Sequence, residues 1–122
     1  MRFLVAMTFV ASLMVSTVSQ AAPLWSSCQT ITGVVHEPIG STGNVLLSLS
    51  PGISGCSAGG ITGAPMFMIG EDGVAATDSW GFLADGLTAI SSGRQVQITY
   101  DNSSSNCYAT AVAVGGISGN CP

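Results

Sequence analysis

Residues Gly55-Cys56-Ser57-Ala58-Gly59 spell G-x-S-x-G, the turn on which many hydrolases present a nucleophilic serine. That turn needs a strand before it, a helix after it and a base within reach. Here Gly60, Ile61, Thr62 and Gly63 follow, a poor helix start, and His36 is the single histidine. A Gly/Ser loop tethered through Cys56 is the expected reading, no catalytic residue is assigned, and the chain is expected not to be an enzyme. The pair His36-Glu37 has the chemistry of an acid–base or pH-sensing site. Adjacent strand residues point to opposite faces, however, so His36 reads as an exposed polar residue at a strand end. It is kept as a candidate binding residue with Trp25, Tyr108 and Asn102. Trp25 and Tyr108 offer ring faces for stacking on a sugar. Asn102 opens the run Asn102-Ser103-Ser104-Ser105-Asn106, whose amides and hydroxyls suit a polar ligand. Trp80 and Tyr100 read as core residues.

The four cysteines, Cys28, Cys56, Cys107 and Cys121, form no C-x-x-C motif. One histidine beside bridged cysteines does not complete a zinc site, so no metal and no cofactor is expected. Four cysteines allow three pairings. A hairpin centred near Ser41 and Thr42 would bring Cys28 opposite residues 55 and 56. That register favours Cys28–Cys56, which leaves Cys107–Cys121; the other two pairings stay open.

The elements that must hold these residues are mostly strands. Residues 29–37 alternate, with Ile31, Gly33 and Val35 on one face. Residues 38–43 carry Pro and Gly and read as a turn. Val45, Leu47 and Leu49 then alternate with Leu46, Ser48 and Ser50. A Gly-rich loop leads to a short strand at residues 66–69, and Asp72-Gly73 marks a turn. One helix is expected from Thr77 or Asp78, either of which can cap it. Its apolar stripe is Trp80, Leu83, Leu87 and Ile90, and Gly93 is a suitable left-handed stop. Residues 94–101 and 107–114 are the last strands, the second with Ala109, Ala111 and Ala113 along one face.

Composition narrows the partners. Residues 3–18 are an apolar run after Met1-Arg2, and Ser19-Gln20-Ala21 offers small residues where a signal peptidase reads. Residues 1–21 are therefore expected to be a signal peptide, and 22–122 one secreted or periplasmic domain in which the cysteines oxidise. No membrane insertion is expected once the leader is gone. Past the leader the chain has no Lys and a single Arg, Arg94, against Glu37, Glu71, Asp72, Asp78, Asp85 and Asp101. Such a surface does not neutralise phosphates, which argues against nucleic acid and anionic membrane.

Three strands, a helix and two strands is the order of a small OB-like five-stranded barrel, here mainly β with one helix and stapled by disulfides. The stretch from Leu87 through Gly93, Arg94 and Val96 to Tyr100 is an amphipathic helix end, a Gly, a basic residue and an alternating strand. It resembles the corresponding stretch in B subunits of AB5 toxins of the subtilase-cytotoxin type, and in related small exported bacterial proteins. About 15 residues match in detail. The resemblance implies a pentameric OB fold that binds cell-surface glycans; none of the family's sugar-contacting residues is carried over. The expected function is a secreted, non-enzymatic binding module, a homo-oligomer with a cell-surface glycan or protein as partner. The alternative is a structural or surface-assembly subunit of a fibre or matrix, which low charge and many glycines also suit.

Overall fold

The computed structural model describes residues 23–39 and 42–122. The expected leader and residues 40–41 of the expected turn lie outside that range. Six strands, one α-helix and one turn of 3-10 helix follow in the order β1 (Leu24–Trp25), β2 (Thr30–Ile39), β3 (Thr42–Ser50), the 3-10 turn (Ala58–Gly60), β4 (Met66–Phe67), α1 (Ser79–Ser92), β5 (Val96–Tyr100) and β6 (Ala109–Val114). The chain is thus mostly β with one helix, as expected. β1 was not anticipated.

The strands make two antiparallel three-stranded sheets, β1-β5-β6 and β2-β3-β4, and not a closed barrel. Single bridges link them: Gln29 pairs antiparallel with Val96, and Met66 pairs parallel with Tyr108. The expected five-stranded barrel is corrected to this extent: the two sheets meet at isolated pairs where a barrel would carry continuous ladders.

The β2–β3 hairpin is longer than its Pro and Gly content suggested. Pairing runs out to Pro38↔Gly43 and Ile39↔Thr42, so most of the expected turn is ladder. At the other end Ile31 faces Leu49 and Gly33 faces Ser48. Thr32 is therefore an extra residue in the ladder, a bulge. A bulge breaks the two-residue alternation, so Ile31 and Val34 both serve the core while Val35 is exposed. The expected single face of Ile31, Gly33 and Val35 is corrected on that ground.

The main core joins Ile31, Val45, Leu47, Leu49, Ile53, Phe67, Val96, Ile98 and Ala109. Phe67 stacks on Phe82 of α1 with ring centroids 4.1 Å apart. On the outer face of β3, Leu46 packs with Ala58 and Met66 in a smaller cluster. The loop between β3 and β4 covers it, held by the Ala58 N–H donating to the Ala64 carbonyl at 3.1 Å.

The disulfides are Cys28–Cys121 and Cys56–Cys107, which corrects the favoured pairing. The hairpin turns about one residue earlier than assumed and carries the Thr32 bulge, so Thr30 stands opposite Ser50. Beyond Ser50 the chain leaves the ladder. Its Gly52 N–H is taken by the side-chain oxygen of Gln29 at 2.9 Å, and Cys56 travels on to the start of β6. Cys28 is carried the other way by the Gln29–Val96 bridge, towards the end of the chain, where the Gln95 N–H donates to the Pro122 carbonyl at 2.7 Å.

The helix begins at Ser79 with Asp78 in the N-cap position and ends at Gly93, left-handed at φ 69°, as expected. The Asp78 carboxylate does not cap; it accepts the Ala75 N–H at 2.8 Å. The inward face is not the expected stripe. Ser79, Gly86 and Ala89 are the buried positions, helped by half-buried Phe82 and Leu83. Trp80 is 66 % exposed, which corrects its reading as core. A Cβ on Gly86 would lie 2.9 Å from Val34 Cγ2 and 3.2 Å from Leu47 Cδ2. The backbone of α1 is thus drawn down on β2 and β3 along its small residues, and the large ones are left at the flank.

Candidate functional site

A cavity of about 580 Å³, open to solvent, is lined by Pro23, Gly70, Glu71, Asp72, Gly73, Tyr100, Asp101 and Thr110. Each wall has a local cause. Residues 70–73 form a tight loop between β4 and α1, closed by the Gly70 N–H on the Val74 carbonyl and the Val74 N–H on the Glu71 carbonyl, both 2.9 Å. Gly70 and Gly73 take φ of 90° and 83°, and Asp72 takes φ 47°. Glycine adopts such values without strain and Asp is among the few other residues that visit them. The loop therefore turns sharply enough to present two consecutive carboxylates.

The opposite wall is the end of β5 against β6. Thr99 pairs with Ala111 and Tyr100 with Ala109, so Thr110 is the extra residue of a second bulge. It joins Tyr100 and Asp101 in lining the cavity. Bulges re-aim side chains in this way. Asp101 is fixed twice: its N–H donates to the Tyr108 carbonyl at 2.9 Å, and its Oδ1 accepts the Ser103 N–H at 2.6 Å. Pro23 reaches the rim because Leu24 pairs with Tyr100.

The chemistry of this lining is three carboxylates, a phenol ring and a hydroxyl, with no cationic side chain. Carboxylates accept hydrogen bonds strongly, and an aromatic face takes the apolar face of a sugar ring. A hydroxyl-rich neutral molecule meets both; an anionic one meets repulsion. Among the described residues no three of His, Cys, Asp and Glu are grouped to hold a metal ion.

The four residues singled out from sequence lie elsewhere and apart. Trp25 is in β1 opposite Thr99, 45 % exposed. His36 is half-buried on β2, its ring 5.3 Å from that of Trp80 on α1. Tyr108 packs on the Leu46–Met66 cluster, and its hydroxyl accepts from Asn106 Nδ2 at 3.3 Å. Asn102 is exposed in the loop that follows β5. None of the four is among the cavity's lining residues, whereas Tyr100, read as core, is half-buried there. Ser57 precedes a single 3-10 turn, and its N–H is used by the Ser105 carbonyl at 2.7 Å.

Glu71 and Asp72 between two glycines were legible as a turn with acids at its tip. Thr110 was not legible, because only pairing with β5 creates the bulge. No helix among the described residues is long and apolar enough to cross a membrane. No protein-family model, curated protein or solved structure matches this chain.

Proposed function

We propose that the chain is an exported, non-enzymatic binding module with an OB-like arrangement of strands, and that its cavity takes a neutral, hydroxyl-rich glycan. The observation that carries this reading is the juxtaposition of Tyr100 with the Glu71, Asp72 and Asp101 carboxylates and the Thr110 hydroxyl. The two disulfides and the apolar leader support export. Strand order supports the OB-like reading. Going round by ladders and bridges, β2, β3, β4, β6 and β5 succeed one another and return to β2, with the β4–β6 bridge parallel. An open Greek-key barrel of this type has its helix, as here, between the third and fourth of these five strands in chain order.

The test is a binding screen with uncharged and sialylated oligosaccharides, read by calorimetry. Neutral glycans should bind and sialylated ones should not. Asp101→Asn and Tyr100→Ala should each weaken binding about tenfold or more, the loss of one charge-assisted contact or one stacking face. Absence of binding, or binding that depends on Trp25 and ignores both cavity variants, would overturn the proposal.

A second reading, a surface-assembly subunit, is favoured by one observation: Leu24 and Trp25 lie exposed on the edge strand β1. Such edges template stacking. An open-ended ladder of masses, abolished by Trp25→Lys, would establish it.

A further inference from the structure

The outer face of the sheet β1-β5-β6 carries a stranded hydroxyl. Thr99 is 6 % exposed, and its Oγ1 is buried with no hydrogen-bond partner among the described residues. Buried polar atoms in native proteins are normally paired. The neighbours Ile98 and Tyr100 serve the core, so by alternation Thr99 stands on the opposite, outer face. An aromatic ring stands next to it. Trp25 pairs with Thr99, and directly paired residues share a face. On the other side Thr99 pairs with Ala111, and Gln97 with Ala113, both small and half-buried. The face therefore steps down from an exposed indole, across an unused hydroxyl, to a low floor.

This step adjoins the cavity. Pro23 and Asp101 line the cavity. Pro23 lies two residues before Trp25 and Asp101 two residues after Thr99, about 7 Å along a strand. At the other end of the face Gln97 is already engaged. Its Nε2 donates to the Ser26 carbonyl at 3.2 Å, and its Oε1 accepts the Ile117 N–H at 3.0 Å.

We infer that Trp25 and Thr99 form a second subsite, and that the ligand of the cavity is an oligosaccharide rather than a single sugar. This rests on the glycan reading above. One unit occupies the cavity. The next lays its apolar face on the indole, and one of its hydroxyls pairs with Thr99 Oγ1 as the indole turns to receive it. Neither group is charged, so this subsite selects for length. Discrimination against anionic sugars stays with the carboxylates of the cavity.

Calorimetry with glucose, galactose, mannose and N-acetylglucosamine oligomers of one to four units tests it. In at least one series affinity should rise about tenfold from one unit to two or three and then level off, the gain of one stacked ring. Trp25→Ala should abolish that gain and leave the affinity for the single sugar unchanged. Thr99→Val removes the hydroxyl at nearly constant shape. It should weaken binding of the longer oligomers by about three- to tenfold and raise the melting temperature, because an unpaired buried hydroxyl is gone. A merely structural Thr99 would move the melting temperature alone. In a Trp80→Phe background, Trp25 emission should shift on adding the three-unit oligomer and not on adding the single sugar. Equal affinity for one unit and for three, or a length gain that survives Trp25→Ala, would overturn this inference and leave the cavity reading standing. Affinities indifferent to both Asp101→Asn and Tyr100→Ala, or no binding in any series, would overturn the two together.

Discussion

Two glycines of the same helix make opposite predictions. Gly81 has open space where a Cβ would be built, so Gly81→Ala should stabilise the protein by about 1 kcal/mol through helix propensity. Gly86 is buried against Val34 and Leu47. There the same change forces α1 away from the sheet and should destabilise by about 1–3 kcal/mol despite the better propensity. Urea denaturation of the two variants reads the difference. Gln29 is a second decisive residue, only 1 % exposed. Its amide donates to Ser27 Oγ at 2.9 Å and its oxygen accepts the Gly52 N–H at 2.9 Å. Gln29→Leu leaves that half-buried N–H without its partner and should cost about 1 kcal/mol or more, measured in the same way. The residue types here were plain from the outset. That Gln29 would be buried was not, because its burial comes from two chain segments that meet only in the fold.

At the scale of elements the bulges decide most. Thr32 in β2 and Thr110 in β6 each break an otherwise regular alternation. Deleting Thr32 would restore strict alternation with Ile31 still opposite Leu49 and Val34 still opposite Leu47, both facing inward. We expect that variant to keep a single cooperative thermal transition, and Thr32→Ser to melt within a few degrees of the parent. The strands themselves were legible: β3 and β5 follow the alternation of their side chains, whereas the expected face of Ala109, Ala111 and Ala113 is corrected, because the Thr110 bulge puts Val112 and Val114 with Ala109 on the core side. The helix was legible in extent and stop, but its inward face was not. A stripe of large apolar residues marks an interface without saying whose. Here the small residues Gly86 and Ala89 won the core side because they allow the closer approach to β2 and β3.

Across the whole molecule, the disulfides are the long-range constraints. Cys28–Cys121 spans 93 residues and Cys56–Cys107 spans 51. On loop entropy alone the two are worth about 4–5 and about 4 kcal/mol respectively. A domain of this size has a small core, so reductant should lower its melting temperature sharply, and Cys28→Ser with Cys121→Ser should be at least as damaging as the other pair removed together. Peptide mapping without reductant should find the Cys28 peptide joined to the one containing Cys121. Recovery of Cys28 joined to Cys56 would show that the two sheets are tied differently from the arrangement described.

What the amino-acid sequence determined on its own is local. Alternation predicted most of the strands, a Gly-terminated apolar stripe predicted the helix, and composition argued against polyanionic partners. These follow from interactions between residues near one another in the chain. Which cysteines meet, which arc of the helix is buried, and which side chains line the cavity were decided by tertiary structure. Each depends on a register, and two single-residue bulges changed it. An extra residue in a ladder alters every pairing beyond it. Cys28 therefore found Cys121, and Thr110 joined Tyr100 beside the acidic loop at residues 70–73.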